Sequence, residues 1–119
     1  MTKSAALYSF FSSFGVQAYQ DTSVPTDAEM PYLTYQNVQD NWGSPVALTV
    51  NLWWRTESEK LLNDKVDEIA AALPRYFPCD GGAILFSRGS PFSQALTDDT
   101  DPTIKRRYMN IIAEYLTLR

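Results

Sequence analysis

The chain has 119 residues, 45% hydrophobic and 20% charged, enough for one globular domain with one core and too few for two. Histidine is absent, which excludes Ser-His-Asp and Cys-His catalysis and His-ligated zinc; the single cysteine, Cys79, excludes an internal disulfide and fits a reduced, cytoplasmic setting. A formal charge of −4 and a pI near 4.6 argue against a basic nucleic-acid surface, and no stretch approaches the roughly 18 apolar residues of a membrane span or resembles a signal-peptide core, so a soluble protein is expected.

Leu7, Phe10, Phe11 and Phe14 recur at i, i+3, i+4 and i+7, which predicts a helix over about residues 3 to 14, with Gly15 ending it in the left-handed conformation. Val16–Gln20 lies between that stop and a proline-bearing loop and reads as a short strand. Pro25 and Pro31 push the residues before them out of the helical region and Asp27 can cap a turn, so 24–30 reads as a loop, followed by a strand at Tyr32, Leu33, Thr34 and Tyr35. Asn41, Gly43 and Pro45 mark a turn. Beyond it Val46, Leu48, Val50, Leu52 and Trp54 alternate with Ala47, Thr49, Asn51, Trp53 and Arg55, predicting a long strand with one apolar face, paired antiparallel with the Tyr32 strand.

Thr56-Glu57-Ser58-Glu59 fits a capping box opening a second helix, whose buried stripe is Leu62, Val66, Ile69 and Leu73, whose wet side carries Lys60, Asp64, Asp67 and Glu68, and which Pro74 stops. Asp80-Gly81-Gly82 reads as a turn and 83–87 as a short buried strand. Arg88–Thr103, rich in Ser, Gly, Pro and Asp, reads as a long loop, of the kind that is functional or disordered. For Ile104–Leu118 the spacing fits a helix (Ile104, Tyr108, Ile111, Ile112, Tyr115) and a strand face (Met109, Ile111, Ala113, Tyr115) equally.

Candidate chemistry is sparse. Asp98, Asp99 and Asp101 lack the spacing of a calcium loop and read as a solvated acidic loop. Asp80-Gly81-Gly82 opens no helix and no Gly-Lys-Ser/Thr follows, so it is not a phosphate loop. Lys105-Arg106-Arg107 reads as a solvated face beside the acidic loop. Trp54 falls on the core face; Trp53 points the other way and is either covered by a long neighbour or part of an interface, and Trp42, in a polar turn, is a second interface candidate.

Val24-Pro25-Thr26-Asp27-Ala28 followed by Pro31-Tyr32-Leu33-Thr34-Tyr35, with the order of elements around them and Arg106-Arg107-Tyr108 near the end, resembles the tail-terminator and tail-completion proteins of long-tailed bacteriophages over most of the chain. The resemblance implies that Ile104–Leu118 is a strand. The expected fold is then α+β, one domain over 1–119, with two helices packed on one face of a mainly antiparallel four- to five-stranded sheet. It also implies a structural protein and not an enzyme, without cofactor or metal. Such a subunit forms a ring, usually a hexamer, that ends tail-tube polymerisation and presents a surface to a head-tail connector protein, in the virion and, during assembly, in the host cytoplasm.

The expected partners are further copies of the chain, the tail tube protein and the connector; DNA passing through the lumen meets no sequence-specific contact, and no membrane is involved. A hexamer at −4 per subunit carries about −24, which repels passing DNA if the acids face the lumen. Candidate subunit or tube contacts are Trp42, Trp53, Arg55 and Arg106, with Asp27 and Glu29 in the first loop and Arg88, Phe92, Asp98 and Asp99 in the second; both loops are expected to become ordered on assembly. Alternative readings are a neighbouring head-tail connector, or a small ligand-binding α+β domain with Tyr19, Tyr35 and Tyr108 lining a pocket.

Overall fold

The computed structural model describes residues 1–39 and 41–117. Chain order is α1 (Lys3–Ser12), β1 (Gln17–Gln20), β2 (Tyr32–Tyr35), β3 (Pro45–Arg55), α2 (Lys60–Ala71), β4 (Arg75–Cys79), β5 (Gly82–Thr97) and β6 (Ile104–Thr117). The fold is α+β, with six strands in one mixed sheet of order β1-β2-β3-β6-β5-β4, not the four or five expected. β1 and β2 are parallel and every other pair is antiparallel.

One face of the sheet and both helices share a single core. The apolar stripe of β3 meets Met109, Ile111, Ala113 and Tyr115 of β6 and Ile84 and Phe86 of β5; α1 adds Leu7, Phe10 and Phe11, and α2 adds Leu62, Val66 and Ile69. The centre is aromatic: Phe10 stacks on Phe86 at 3.8 Å between centroids and Phe11 on Tyr35 at 4.8 Å, with Phe10 edge-on to Phe14 at 5.3 Å. The helix α1 begins at a Thr2 cap, where the Oγ1 atom accepts from the Ala5 amide, and Gly15 follows it at φ +80° as expected.

Two further expectations about the elements fail, and one strand is additional. Arg88–Thr103 is not a loop: β5 continues to Thr97 against β6, and only the hairpin tip, 98–103, is unpaired. Its Gly and Pro sit in a bulge in which Gly89–Phe92 oppose Asn110 alone; a Cβ on Gly89 would stand 2.8 Å from that of Asn110, and the Asn110 amide donates to Pro91 C=O. β4 was not foreseen, because Arg75-Tyr76-Phe77-Pro78-Cys79 is a short edge strand flanked and interrupted by prolines.

The capping box also does not form. Thr56 Oγ1 accepts from the Ser58 amide, Ser58 Oγ from the Lys60 amide, and α2 starts at Lys60 with no side-chain cap from Glu59. The Glu59 carboxylate turns instead to Arg107. The last predicted residue of β6, Leu118, lies outside the described residues. Among those described, no helix is long and apolar enough to cross a membrane.

Candidate functional site

Among the described residues no helix covers the other face of the sheet, and that face carries the residues of interest. Strand alternation puts Tyr19, Tyr32, Thr34, Asn51, Trp53, Arg106 and Tyr108 there, opposite in phase to the core residues. The register sets Gln17, Tyr32, Trp53, Arg106 and Leu96 in one row across five strands. Tyr19 packs edge-on to Tyr32 at 5.7 Å, Tyr32 stacks on Trp53 at 6.2 Å, and the Arg106 guanidinium lies 5.3 Å from the Trp53 ring centroid. The Trp53 indole N–H donates to Thr34 Oγ1 at 3.1 Å, which fixes the ring over a threonine that is itself buried.

Tyr32 and Arg106, from the strands on either side of β3, therefore flank Trp53. This suits a packed contact better than a platform on which a planar ligand stacks. Asn51 Oδ1, one row along, is buried without a hydrogen-bond donor among the described residues.

Beside the row lies an open concavity of about 230 Å³, lined by Trp53, Arg106, Ile104, Thr97, Asp98 and Asp99. A second, of about 370 Å³, is lined by Ala28, Glu29, Met30 and Arg55. Arg55 Nη1 meets Asp101 Oδ2 at 2.9 Å, tying the end of β3 to the hairpin tip. The acidic tip is structured. Asp98 accepts from Thr100 Oγ1 and from the amides of Thr100 and Asp101, and Asp101 accepts from the hydroxyl and amide of Thr103. These bonds, those to Thr100 and Thr103 first, hold both carboxyls below the usual carboxylate range.

Of the expected contact residues, the structure thus gathers Trp53, Arg106, Asp98 and Asp99 around one concavity, with Arg55 and Glu29 at the next. The others lie elsewhere. Trp42 is at the far end of β6, where Lys3 Nζ stands 4.1 Å from its ring and the adjacent Gly43 amide donates to Tyr115 C=O. Phe92 packs on the core from the bulge, Arg88 is exposed beside it, and Asp27 is exposed in the loop before β2.

Arg107 is a correction: it is not part of a solvated basic run but is 6% exposed on the core face. There its Nη2 atom donates to Glu59 Oε1 at 2.9 Å and Asn63 Oδ1 at 2.8 Å, clamping the start of α2 to β6. Strand alternation separates it from Arg106, a distinction invisible in a run of three basic residues. The tyrosine pocket also fails, since Tyr35 is in the core while Tyr19 and Tyr108 are on the opposite face.

Among the described residues no group of three or more Cys, Asp or Glu is placed to hold a metal ion. Compared with protein-family models, with curated proteins and with solved structures, the chain matches none.

Proposed function

We propose that this chain is a structural subunit of a bacteriophage tail, a terminator that assembles as a ring on the end of the tail tube, stops its growth and offers a surface to the connector. The observation that carries this reading is the uncovered sheet face, where Tyr19, Tyr32, Trp53 and Arg106 form a ladder of the residue types that dominate protein contacts. The resemblance of the Pro-Tyr-Leu-Thr-Tyr strand and the order of elements supports the family. The long β5–β6 hairpin, stiffened at its tip by Asp98 and Asp101, supplies a rigid projecting element of the kind a ring subunit sets against its neighbours.

Negative-stain microscopy of the protein alone and mixed with tail tubes from its own source tests the proposal. Rings, or tubes of uniform length capped at one end, are the expected result. Tubes left uncapped, with binding to portal-side components instead, would assign it to the connector.

A further inference from the structure

The sheet has three free edge segments, and they are not alike. β4 carries Arg75 and Pro78, features that discourage pairing with another strand. β4 covers β5 only over Gly82–Phe86, so among the described residues the distal part of β5, Ser93-Gln94-Ala95-Leu96-Thr97, has β6 on one side and no strand on the other. β1, Gln17-Ala18-Tyr19-Gln20, is the opposite edge. Neither of these two segments contains a charge or a proline.

They also occupy the same rows of the sheet. Following the register across, Gln17 lines up with Leu96, Ala18 with Ala95, Tyr19 with Gln94 and Gln20 with Ser93. The directions of the peptide groups match as well. Asp21 N–H donates to Tyr35 C=O, so parallel alternation turns Ala18 and Gln20 away from β2; Asp98 N–H donates to Ile104 C=O, so antiparallel alternation turns Ser93, Ala95 and Thr97 away from β6. The Gln20 carbonyl accepts from Ser23, the Ala18 carbonyl meets the Gln17 side-chain amide at 3.4 Å, and Ala18 is 2% exposed, so pairing at Ala18 requires the Gln17 side chain to swing off the edge. β1 and β5 run in opposite directions through these rows.

We infer that β1 of one subunit pairs antiparallel with the distal half of β5 of the next copy of this chain, with Ala18 opposite Ala95 and Gln20 opposite Ser93 as hydrogen-bonded pairs. The inference rests on the ring reading and names its seam. A rotation about an axis roughly along the strands keeps the rows level, so each edge meets the other kind of edge. The contact is head-to-tail and closes a ring instead of a two-fold dimer. The small side chains at Ala18, Ala95 and Ser93 let the core-side surfaces approach, while Gln17 and Tyr19 meet Leu96 and Gln94 on the ladder side. The row of Tyr32, Trp53 and Arg106 then runs on from subunit to subunit.

The seam is tested by cross-linking. Gln17 and Leu96 would form a non-hydrogen-bonded pair, the geometry in which two cysteines bridge readily, and within one subunit they sit at opposite edges, about 19 Å apart across four strand spacings. Oxidation of the Gln17→Cys, Leu96→Cys double variant, with Cys79→Ser in every variant, alone and bound to tail tubes, is expected to give a ladder of covalent oligomers ending at one closed size, with none from the single variants.

Ala95→Pro removes an outward amide without touching the β5–β6 ladder. It is expected to keep the wild-type circular dichroism and to need at least about tenfold more protein to assemble. Rings that form without cross-links, or that tolerate Ala95→Pro, would overturn the seam and leave the ring reading standing. Covalent dimers from Leu96→Cys alone would replace it with a two-fold β5–β5 pairing. A chain monomeric both alone and with tubes would overturn seam and ring together.

Discussion

Single residues decide more here than their neighbours in sequence suggest. The Glu59–Arg107 pair is a case: Arg107 is buried, so removing Glu59 leaves a guanidinium with only Asn63 as a side-chain acceptor, and its Nε already lacks one. Glu59→Ala is expected to cost about 1–3 kcal/mol in urea denaturation, and clearly more than Asp64→Ala, whose exposed pair with Lys60 is an ordinary helix-surface contact. The order of the two variants is the test.

Tyr115 makes the second residue-scale prediction. Burial, with the nearby Cys79 adding to it, pushes its hydroxyl up to about 12, and that hydroxyl donates to Val38 C=O at 2.7 Å. A raised folded value means the contribution to stability is complete below pH 10, the ordinary tyrosine value, and is lost as pH rises toward 12. Stability measured across that window should fall less steeply in Tyr115→Phe, and the variant should lack the last tyrosine to ionise in an absorbance titration.

At the scale of elements, patterns that report a single face were legible and pairings between distant segments were not. The stripes of α1, α2 and β3 appear in the sequence because each element buries one side of itself. The strand character of β6 came from a family resemblance, since its apolar positions satisfy two periods at once. The distal half of β5 was hidden because Gly89, Ser90 and Pro91 are loop residues by composition, and only pairing with β6 shows that a bulge absorbs them. The aromatic face was half legible: alternation pointed Trp53 away from the core, whereas the Tyr32 and Arg106 contacts depend on strands far apart in sequence.

Two expectations belong to this scale. Gly89→Ala forces a Cβ against Asn110 and should cost about 1–3 kcal/mol by urea titration, unless the bulge shifts, in which case the Asn110 amide signal moves. The hydrogen bonds of Asp98 and Asp101, held below their ordinary value near 3.8, contribute order above that pH and lose it as pH falls further. The amide resonances of Thr100 and Thr103 should therefore move on acidification before the core signals do.

For the whole molecule, the core and the aromatic ladder occupy opposite faces of one sheet, so stability and the proposed tube contact should separate experimentally. Phe10→Ala empties the stack on Phe86 and is expected to cost about 3–5 kcal/mol. The Trp53→Ala, Arg55→Ala double variant removes surface contacts and the tie to Asp101. It should stay folded by circular dichroism and still form rings through the sheet edges, yet fail to cap tail tubes in the microscope; an unfolded product would make the ladder part of the core.

The outline of the fold has a consequence for hydrodynamics. The chain measures 49 × 27 × 21 Å along its principal axes, with a radius of gyration of 14.5 Å against the roughly 13.5 Å typical of this chain length. A particle of that shape meets more drag than a sphere of its 13.5 kDa mass, so a lone subunit elutes early from a sizing column and mimics a larger species. Light scattering or sedimentation equilibrium, which weigh particles without regard to their outline, are the methods that separate an elongated monomer from the first step of a ring.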